Sequence, residues 1–194
     1  MTDRADLDIA LIDRYLRGDI EAFNELMEAH EDRVFAICLR MLRDREAALD
    51  VTQDTFLTVF RKVDRYKATA AFSTWLYRVT VNTCYDYLRK QKRKQADRLP
   101  ETHDIADPAS QDEFESIDVR PQIEAALADL SPEFKAAIVL VDLEGMSIEQ
   151  ASETLEVPIG TIKSRLFRAR KQLSQRLGNL RPSSKHPIED TGET

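Results

Sequence analysis

The most constraining stretch of this sequence is residues 155–177, LEVPIGTIKSRLFRARKQLSQRL, which predicts one long amphipathic helix. Pro158 stands at the expected first helical position, where its fixed φ fits and its missing amide hydrogen is not needed. Because this helix is amphipathic, its apolar face must pack against other helices. At about 100° per residue, the apolar side chains that fall on that face are Ile162, Leu166, Ala169, Leu173 and Leu177.

The opposite face of this predicted helix is basic. Residues 159–181 contain seven Lys or Arg and no Asp or Glu. Exposed helix faces usually carry both signs of charge, so this bias indicates a polyanionic partner. An ordinary helical hairpin with a cationic surface is the alternative for this segment alone. The residues on or beside this face are Thr161, Lys163, Ser164, Arg165, Arg168, Lys171 and Gln175.

A shorter helix is predicted immediately upstream. Ser147 and Gln150 form the pattern of a capping box, in which each side chain bonds to the backbone amide of the other residue. This helix would end near Leu155, and a tight turn then leads to Pro158. Two helices joined in this way predict a helix-turn-helix, whose second helix enters the major groove of DNA.

Composition favours an all-α protein. The chain has five glycines among 194 residues and lacks the regular turn signals of a β-sandwich. No run approaches the roughly 20 apolar residues of a membrane-spanning helix, and the acidic N-terminus does not match a signal peptide. Cys38 and Cys84 occupy apolar helix positions, where buried free thiols are favoured over a disulfide.

Charge is distributed unevenly along the chain. The overall net charge is −7, but residues 61–94 carry +8 and residues 159–181 carry +7, while residues 95–130 carry −8. The basic segments can bind phosphate locally, whereas the acidic remainder opposes DNA binding by the free chain. This distribution predicts a protein that binds DNA together with a partner.

The sequence predicts two small helical domains joined by an acidic flexible linker. The linker, residues 96–118, is acidic, contains two prolines and lacks periodicity. The first domain covers residues 1–95 and the second covers residues 119–181, followed by a disordered tail at residues 182–194.

Caps and breakers predict the helices within these domains. Asp19, Ser73 and Ser131 stand at expected N-caps, and Gly18 and Gly145 at expected helix ends. The predicted helices before the helix-turn-helix cover residues 6–17, 19–42, 44–63, 73–92, 121–130 and 131–145.

Two helix faces in the first domain carry residues suited to binding. In the helix at 44–63, Leu57 lies at the centre of a polar face, which fits either a singly exposed leucine or an interface with an apolar centre. The polar residues of that face are Asp50, Gln53, Asp54 and Arg61. In the helix at 73–92, one stripe combines arginines for phosphate, an amide for a base edge and a tyrosine for stacking, which suits opened DNA. That stripe is Arg78, Asn82, Tyr85 and Arg89, and its alternative is a solvated face.

Both domains resemble one protein family. The sequences DREAALDVTQDTFLTVF and FSTWLYRVTVNTCYDYLRK are similar to region 2 of bacterial RNA polymerase sigma factors of the sigma-70 family, extracytoplasmic-function (ECF) type. The sequence from Leu130 to Leu173 is similar to region 4 of the same family. The resemblance covers about residues 7–180, with both regions in the family's order and separation.

The resemblance implies a role for each surface. The Leu57 face, with Asp50, Gln53 and Asp54, would bind the β′ clamp helices of core RNA polymerase. The loop at residues 66–71, with Tyr66 predicted exposed and Lys67 beside it, would capture a flipped base of the −10 promoter element. Arg78, Asn82 and Tyr85 would contact the opened −10 strand, and region 4 would contact the −35 element. The linker would run through the polymerase.

The resemblance also implies partners and a location. We expect core RNA polymerase (the β′ clamp and β flap), promoter DNA and an anti-sigma factor, with no small-molecule substrate, cofactor, metal or membrane insertion. The expected location is the cytoplasm, or the inner membrane face where an anti-sigma factor would hold the protein. Glu156 departs from the family pattern, which has Gly before Val-Pro, so the turn must form without a residue that easily adopts positive φ.

Two other functions fit the sequence less well. A two-domain regulator with a sensory N-terminal domain fits less well, because the stripe at residues 78–92 is basic and carries a tyrosine. An enzyme acting on DNA needs organised nucleophile or metal-binding groups. The three histidines His30, His103 and His186 are scattered, and the sequence has no Gly-rich phosphate loop.

Overall fold

The computed structural model describes residues 4–68, 70–97 and 120–178, and all regular structure in those ranges is helical. The predicted all-α class is confirmed. The predicted linker, apart from its first two residues, and the predicted tail lie outside the described residues. The helices are α1 Arg4–Leu16, α2 Ile20–Glu28, α3 Glu31–Leu42, α4 Arg45–Lys62, α5 Phe72–Asp97, α6 Arg120–Ala128, α7 Pro132–Ile138, α8 Ile148–Leu155 and α9 Ile159–Gly178, with a 3-10 turn at Val63–Arg65 and a π-helical segment at Val139–Leu143.

The first helical unit, α1 to α5, is built around α5, which packs against both α3 and α4. Each of these three helices buries one stripe of apolar side chains at helical spacing, and full burial of such a side chain contributes about 1.5–3 kcal/mol. Cys38 on α3 and Cys84 on α5 are buried free thiols with their Sγ atoms 3.9 Å apart, as predicted. The almost fully buried apolar residues are Val34, Ile37, Met41, Ala48, Val51, Val59, Leu76 and Val81.

The prediction of one helix over residues 19–42 is wrong, because the chain breaks between α2 and α3 at Ala29 and His30. His30 turns its ring into the core, where Nε2 lies 3.0 Å from both carboxylate oxygens of Asp8. Arg4 contacts the same carboxylate at 3.4 Å and donates to the Ala29 carbonyl. Since Asp8 is only 1% exposed, its carboxylate needs these partners. The helix is therefore broken at the residue that pairs with this buried carboxylate. Helical periodicity in the sequence did not indicate the break.

The start of α5 also differs from the prediction. Ser73 was expected to cap the helix, but α5 begins at Phe72 and the amides of Thr74 and Trp75 donate to the carbonyl of Ala71. The Phe72 ring is 1% exposed and packs on the ring of Trp75, with centroids 5.8 Å apart. Burial of this ring places the helix start one residue earlier and leaves Ser73 inside the first turn.

The second helical unit, α6 to α9, contains the predicted helix-turn-helix as α8 and α9. The capping box is present: the Ser147 amide donates to Gln150 Oε1 at 2.9 Å and the Gln150 amide donates to Ser147 Oγ at 3.1 Å. Ser131 caps α7 as predicted, and Pro158 immediately precedes α9. The predicted core residues of α9 that are fully buried are Ile162, Leu166 and Ala169.

The two units pack against each other. Helix α8 lies on α5, while α7 and the π-helical segment lie against α3. Lys135 of α7 is buried at this contact, where its Nζ lies 3.4 Å from the carbonyl oxygen of Met41. The side of α5 that does not pack in its own unit is therefore partly covered by the second unit.

We predict that His30→Ala lowers the free energy of unfolding by about 3–5 kcal/mol, because it leaves the Asp8 carboxylate buried without its main partner. Urea unfolding followed by circular dichroism measures the change. The double variant Asp8→Ala/His30→Ala should recover part of the loss, since no buried carboxylate remains. A loss of under about 1 kcal/mol in His30→Ala, the size of an exposed ion pair, would contradict this assignment.

Candidate polymerase-binding and DNA-binding surfaces

Helix α4 presents all of the predicted polymerase-binding residues on one exposed side. Its buried stripe faces α3 and α5, so the remaining side chains point to solvent. Leu57 is 45% exposed at the centre of this side. The structure therefore brings these residues together as an apolar centre with a charged rim. The exposed residues are Asp50, Gln53, Asp54, Leu57 and Arg61.

An apolar groove beside Leu57 was missed in the sequence analysis. It lies between α2 and α4, encloses about 510 Å³, and includes Ile20, Leu49 and Phe60, which are 67%, 51% and 50% exposed. The Phe60 ring packs edge-on against Phe23, with centroids 5.2 Å apart. Contiguous exposed apolar surface of this kind marks interaction sites. In the sequence, Leu49 and Phe60 are apolar residues that lie outside the core stripe of α4. That placement was the sequence signal for the groove.

A second, more polar cleft of about 390 Å³ lies between α4 and α5. Asp54, Leu57 and Arg61 line it from α4, and Asn82 lines it from α5. The predicted polymerase-binding face and the predicted −10 stripe therefore meet along one edge of the first unit.

The loop after α4 is held by Tyr66, which is half-buried rather than exposed as predicted. Its hydroxyl donates to the carbonyl oxygen of Ala70 at 2.6 Å, and its ring packs against Phe72 and Trp75. Burial raises the pKa of the Tyr66 hydroxyl, with a further contribution from the nearby negative charge of Asp8. The prediction failed because the aromatic cluster is assembled only when the loop folds back on α5. Lys67 is exposed.

The predicted −10 stripe of α5 is divided by the second unit. Asn82 and Arg89 are exposed, but Arg78 and Tyr85 are partly covered. The Arg78 Nη1 atom lies 2.6 Å from Oε1 of Glu156. Burial raises the pKa of Tyr85 to about 12, and the positive charge of Arg165 on α9 acts in the opposite direction. These two stripe residues are thus only partly open to solvent.

Helix α9 carries its basic residues in two structurally different settings. Arg170 pairs with Asp142 through contacts of 2.6 and 3.0 Å, and Arg176 pairs with Asp129 at 2.6 Å. Arg168 is exposed and has no ion pair within the described residues. Among the other predicted DNA-binding residues of α9, Lys163, Ser164 and Lys171 are exposed, while Thr161 and Arg165 are half-buried.

The turn between α8 and α9 forms despite the missing glycine. Glu156 adopts a left-handed conformation with φ +53° at the end of α8. For a residue with a Cβ this conformation costs roughly 1–2 kcal/mol. Ser152 stabilises the turn, since its hydroxyl donates to the carbonyl of Val157 at 2.6 Å and its own carbonyl accepts from the Val157 amide.

In the part of the chain that the structure describes, no group of His, Cys, Asp and Glu side chains is placed to hold a metal ion. None of the described helices has both the length and the apolar character needed to cross a bilayer.

Each of the two helical units matches a known protein-family model. Residues 26–94 match the family model for Sigma-70 region 2, and residues 120–173 match that for Sigma-70, region 4. The chain is 34% identical over 185 residues to the ECF RNA polymerase sigma-E factor of Haemophilus influenzae, covering 89% of this chain and 96% of that protein. The chain belongs to the ECF sigma factors. Its resemblance to this family is thereby confirmed.

Two further proteins are similar to this sigma factor over most of its length. It is 39% identical over 155 residues to the ECF RNA polymerase sigma factor SigE of Mycolicibacterium smegmatis, covering 78% of this chain but only 60% of that protein. The solved structure of the sigma factor RpoE in complex with the anti-sigma factor NepR, from Bartonella quintana, has a TM-score of 0.66 at 28% identity. It covers 84% of this chain and 100% of the other.

The loop assignment gives a prediction that uses the single tryptophan of the chain, Trp75. Tyr66→Ala removes the ring packed on Trp75 and should shift its fluorescence emission to longer wavelength. Tyr66→Phe keeps the ring and loses only the hydrogen bond to Ala70, so it should cost about 1 kcal/mol of stability with little spectral shift. Equal emission spectra for both variants would contradict this packing.

Proposed function

We propose that this ECF sigma factor binds core RNA polymerase through its first unit and directs initiation at promoters by contacting −10 and −35 elements. The observation that carries the proposal is the presence of two basic helix surfaces, one on α5 and one on α9, together with an exposed side of α4 that has an apolar centre. In this proposal, residues 1–95 bind polymerase and the −10 element, and residues 119–181 bind the −35 element. Residues 96–118 form the linker between them, and residues 182–194 form the tail. Run-off transcription with core polymerase and a matching promoter tests the proposal.

Polymerase binding is assigned to the exposed side of α4. Its apolar centre comprises Leu57 with the neighbouring Leu49 and Phe60, and its rim is polar with a net negative charge. Interfaces place apolar groups at the centre, where water is excluded, and charges at the rim, where they remain hydrated. The partner surface is therefore expected to be apolar with a basic rim, and we assign it to the β′ clamp. The second unit would bind the β flap.

Contact with the −10 element is assigned to the loop at residues 66–71 and to α5. Opened DNA offers unstacked bases and phosphates, which aromatic and basic side chains bind. Trp75 and Tyr66 form an aromatic cluster beside Lys67, and Asn82 is exposed farther along α5. This surface suits a strand already separated from its partner.

Contact with the −35 element is assigned to α9. Arg168 is exposed, has the geometry to donate two hydrogen bonds to guanine in a major groove, and is not engaged in an ion pair within the described residues. Lys163 and Lys171 are placed for phosphates. Arg170 lies two residues from Arg168 but is held by Asp142, so its role is structural.

The relatives support the remaining parts of the proposal. The Bartonella quintana sigma factor is described in complex with an anti-sigma factor, and we infer that this chain is held by one too. The chain would act in the cytoplasm, or at the inner membrane face when held there. As a transcription initiation factor it would not itself catalyse a reaction, and promoter DNA and polymerase would be its partners.

We predict that Asp54→Ala/Leu57→Ala weakens core polymerase binding at least tenfold, a change of about 1.4 kcal/mol, while leaving thermal stability nearly unchanged. Both side chains are exposed, so folding does not need them. Fluorescence anisotropy with core polymerase measures the affinity. Asp13→Ala/Leu7→Ala is the matched control, because it removes another exposed aspartate and a leucine of equal 45% exposure from α1. Unchanged affinity in the first variant would remove the α4 assignment.

We predict that Arg168→Ala weakens closed-complex formation by about 1–3 kcal/mol, the value of one bidentate base contact. Arg170→Ala should leave closed-complex formation unchanged and lower the stability of the second unit by under about 1 kcal/mol.

Asn82→Ala should spare duplex binding and reduce the permanganate reactivity of −10 thymines. A pre-melted −10 bubble should therefore help Asn82→Ala more than Arg168→Ala. The reverse order of rescue would mean that the roles of the two units are exchanged.

A further inference from the structure

The loop after α4 has a backbone conformation that needs support from other parts of the fold. Its described residues are 66–68, 70 and 71, and among them Ala68 has a φ of +52°. A residue with a Cβ adopts this left-handed conformation only at a cost in free energy. Such a conformation persists where the surrounding contacts fix the backbone. The shape of the loop therefore depends on the side chains that hold it.

The nearest of these side chains are aromatic. The Tyr66 hydroxyl donates to the carbonyl oxygen of Ala70 at 2.6 Å and closes the loop on itself. The Tyr66 ring packs edge-on against Phe72, with centroids 5.5 Å apart. Phe72 is the first residue of α5 and is only 1% exposed. A ring buried in close packing moves only if its neighbours move, so the position of Phe72 determines where Tyr66 lies.

His30 is a further neighbour of Phe72, from the junction of α2 and α3. The two rings meet edge-on, with centroids 5.5 Å apart and planes inclined at 64°. His30 is buried, and its Nε2 atom lies 3.0 Å from both carboxylate oxygens of Asp8. A satisfied buried polar pair of this kind is rigid. The hydrogen bond to Asp8 therefore fixes the orientation in which the imidazole meets Phe72.

Helix α1 supplies the other end of this chain of contacts. Arg4, one turn before Asp8, contacts the same carboxylate and also donates to the carbonyl of Ala29 at 2.9 Å, beside His30. Burial raises the pKa of the Tyr66 hydroxyl and the charge of Asp8 adds to this effect, so Asp8 acts on the loop electrostatically as well. The first helix, which contributes no residue to the surfaces assigned above, is thus connected to the loop.

We propose that His30 is a positioning residue for the −10 loop: its ring, oriented by Asp8, holds Phe72 and through it Tyr66 where the loop can take up a base of the opened strand. This inference rests on the proposed assignment of that loop to a flipped −10 base. His30 is buried and does not itself contact DNA. Its ring supports the loop, whereas its Nε2 atom satisfies the Asp8 carboxylate.

Two substitutions separate these two contributions of His30. His30→Gln retains an N–H group that can reach Asp8 but has no ring to place against Phe72. His30→Phe retains a ring but leaves the Asp8 carboxylate without its buried partner, so it should be the less stable of the two proteins. A residue that only supported the fold would rank the two variants identically in stability and in base capture. A positioning residue ranks them in opposite orders.

The test uses holoenzyme, the full chain with core RNA polymerase, on promoter DNA with a pre-melted −10 element. Each −10 nucleotide of the non-template strand is replaced in turn by an abasic site, and anisotropy gives the ratio of the abasic to the natural Kd. Wild type should show a ratio of about tenfold at one position, the order expected for one lost base contact. His30→Gln should reduce that ratio to below about twofold, less than the effect of a single stacked base, whereas His30→Phe should keep it. Binding of core polymerase should be unchanged in both variants.

Val51→Ala is the control for general loss of stability. Val51 is 1% exposed near the start of α4, whereas the loop follows the other end of that helix. This variant should unfold at a lower temperature than wild type, measured by circular dichroism, and keep the wild-type ratio. If His30→Phe does not fold, Asp8→Ala/His30→Phe takes its place, because it retains the ring and removes the buried carboxylate.

A His30→Gln holoenzyme with the wild-type ratio would overturn the proposal, as would a larger loss in His30→Phe than in His30→Gln. Loss of the ratio in Val51→Ala would also overturn it, because the ratio would then follow stability. A wild-type holoenzyme that transcribes the promoter but shows no position with a raised ratio would refute the loop assignment and this inference together. Failure of run-off transcription by wild type would instead refute the proposed function as a whole.

Discussion

The burial of one side of α5 against α3 and α4 is the interaction on which the other features depend. Leu76, Val81 and Cys84 are at most 1% exposed, so the rotation of α5 about its axis is fixed by packing. That rotation places the aromatic loop at one end of the helix, the polar cleft along its edge with α4, and the predicted −10 stripe on the remaining side. The surface of the first unit that we propose to face DNA is therefore positioned by its core.

Charge determines the relation between the two units. Burial of Glu144 between Arg33 and Arg40 of α3 is unfavourable unless all three groups stay together, which makes the docking specific but sensitive to added charge. The left-handed conformation of Glu156 adds a local cost, and its ion pair with Arg78 offsets part of it. The buried apolar residues of the two units also belong to one contiguous cluster, so apolar packing accompanies these charges.

The periodic and capping patterns predicted the local structure well where local contacts decide it. Asp19, Ser131 and Ser147 each cap the helix they precede, because a cap depends only on residues three positions away. The break at His30 and the start of α5 at Phe72 were not predicted. Both accompany contacts with residues distant in sequence or with an aromatic cluster, which no local pattern contains.

The sequence by itself determined the helical class, the helix-turn-helix and the residues of the α4 face, since each follows from spacing, caps and polarity within one helix. The position of the predicted −10 stripe was also determined in part, because Asn82 and Arg89 are exposed as expected. Only the tertiary structure decided that Tyr66 is held inside an aromatic cluster, that Arg170 is engaged by Asp142, and that Arg78 and Tyr85 are covered. Those outcomes depend on which separate helices meet, and that is set by long-range packing and charge pairing rather than by the period of any single helix.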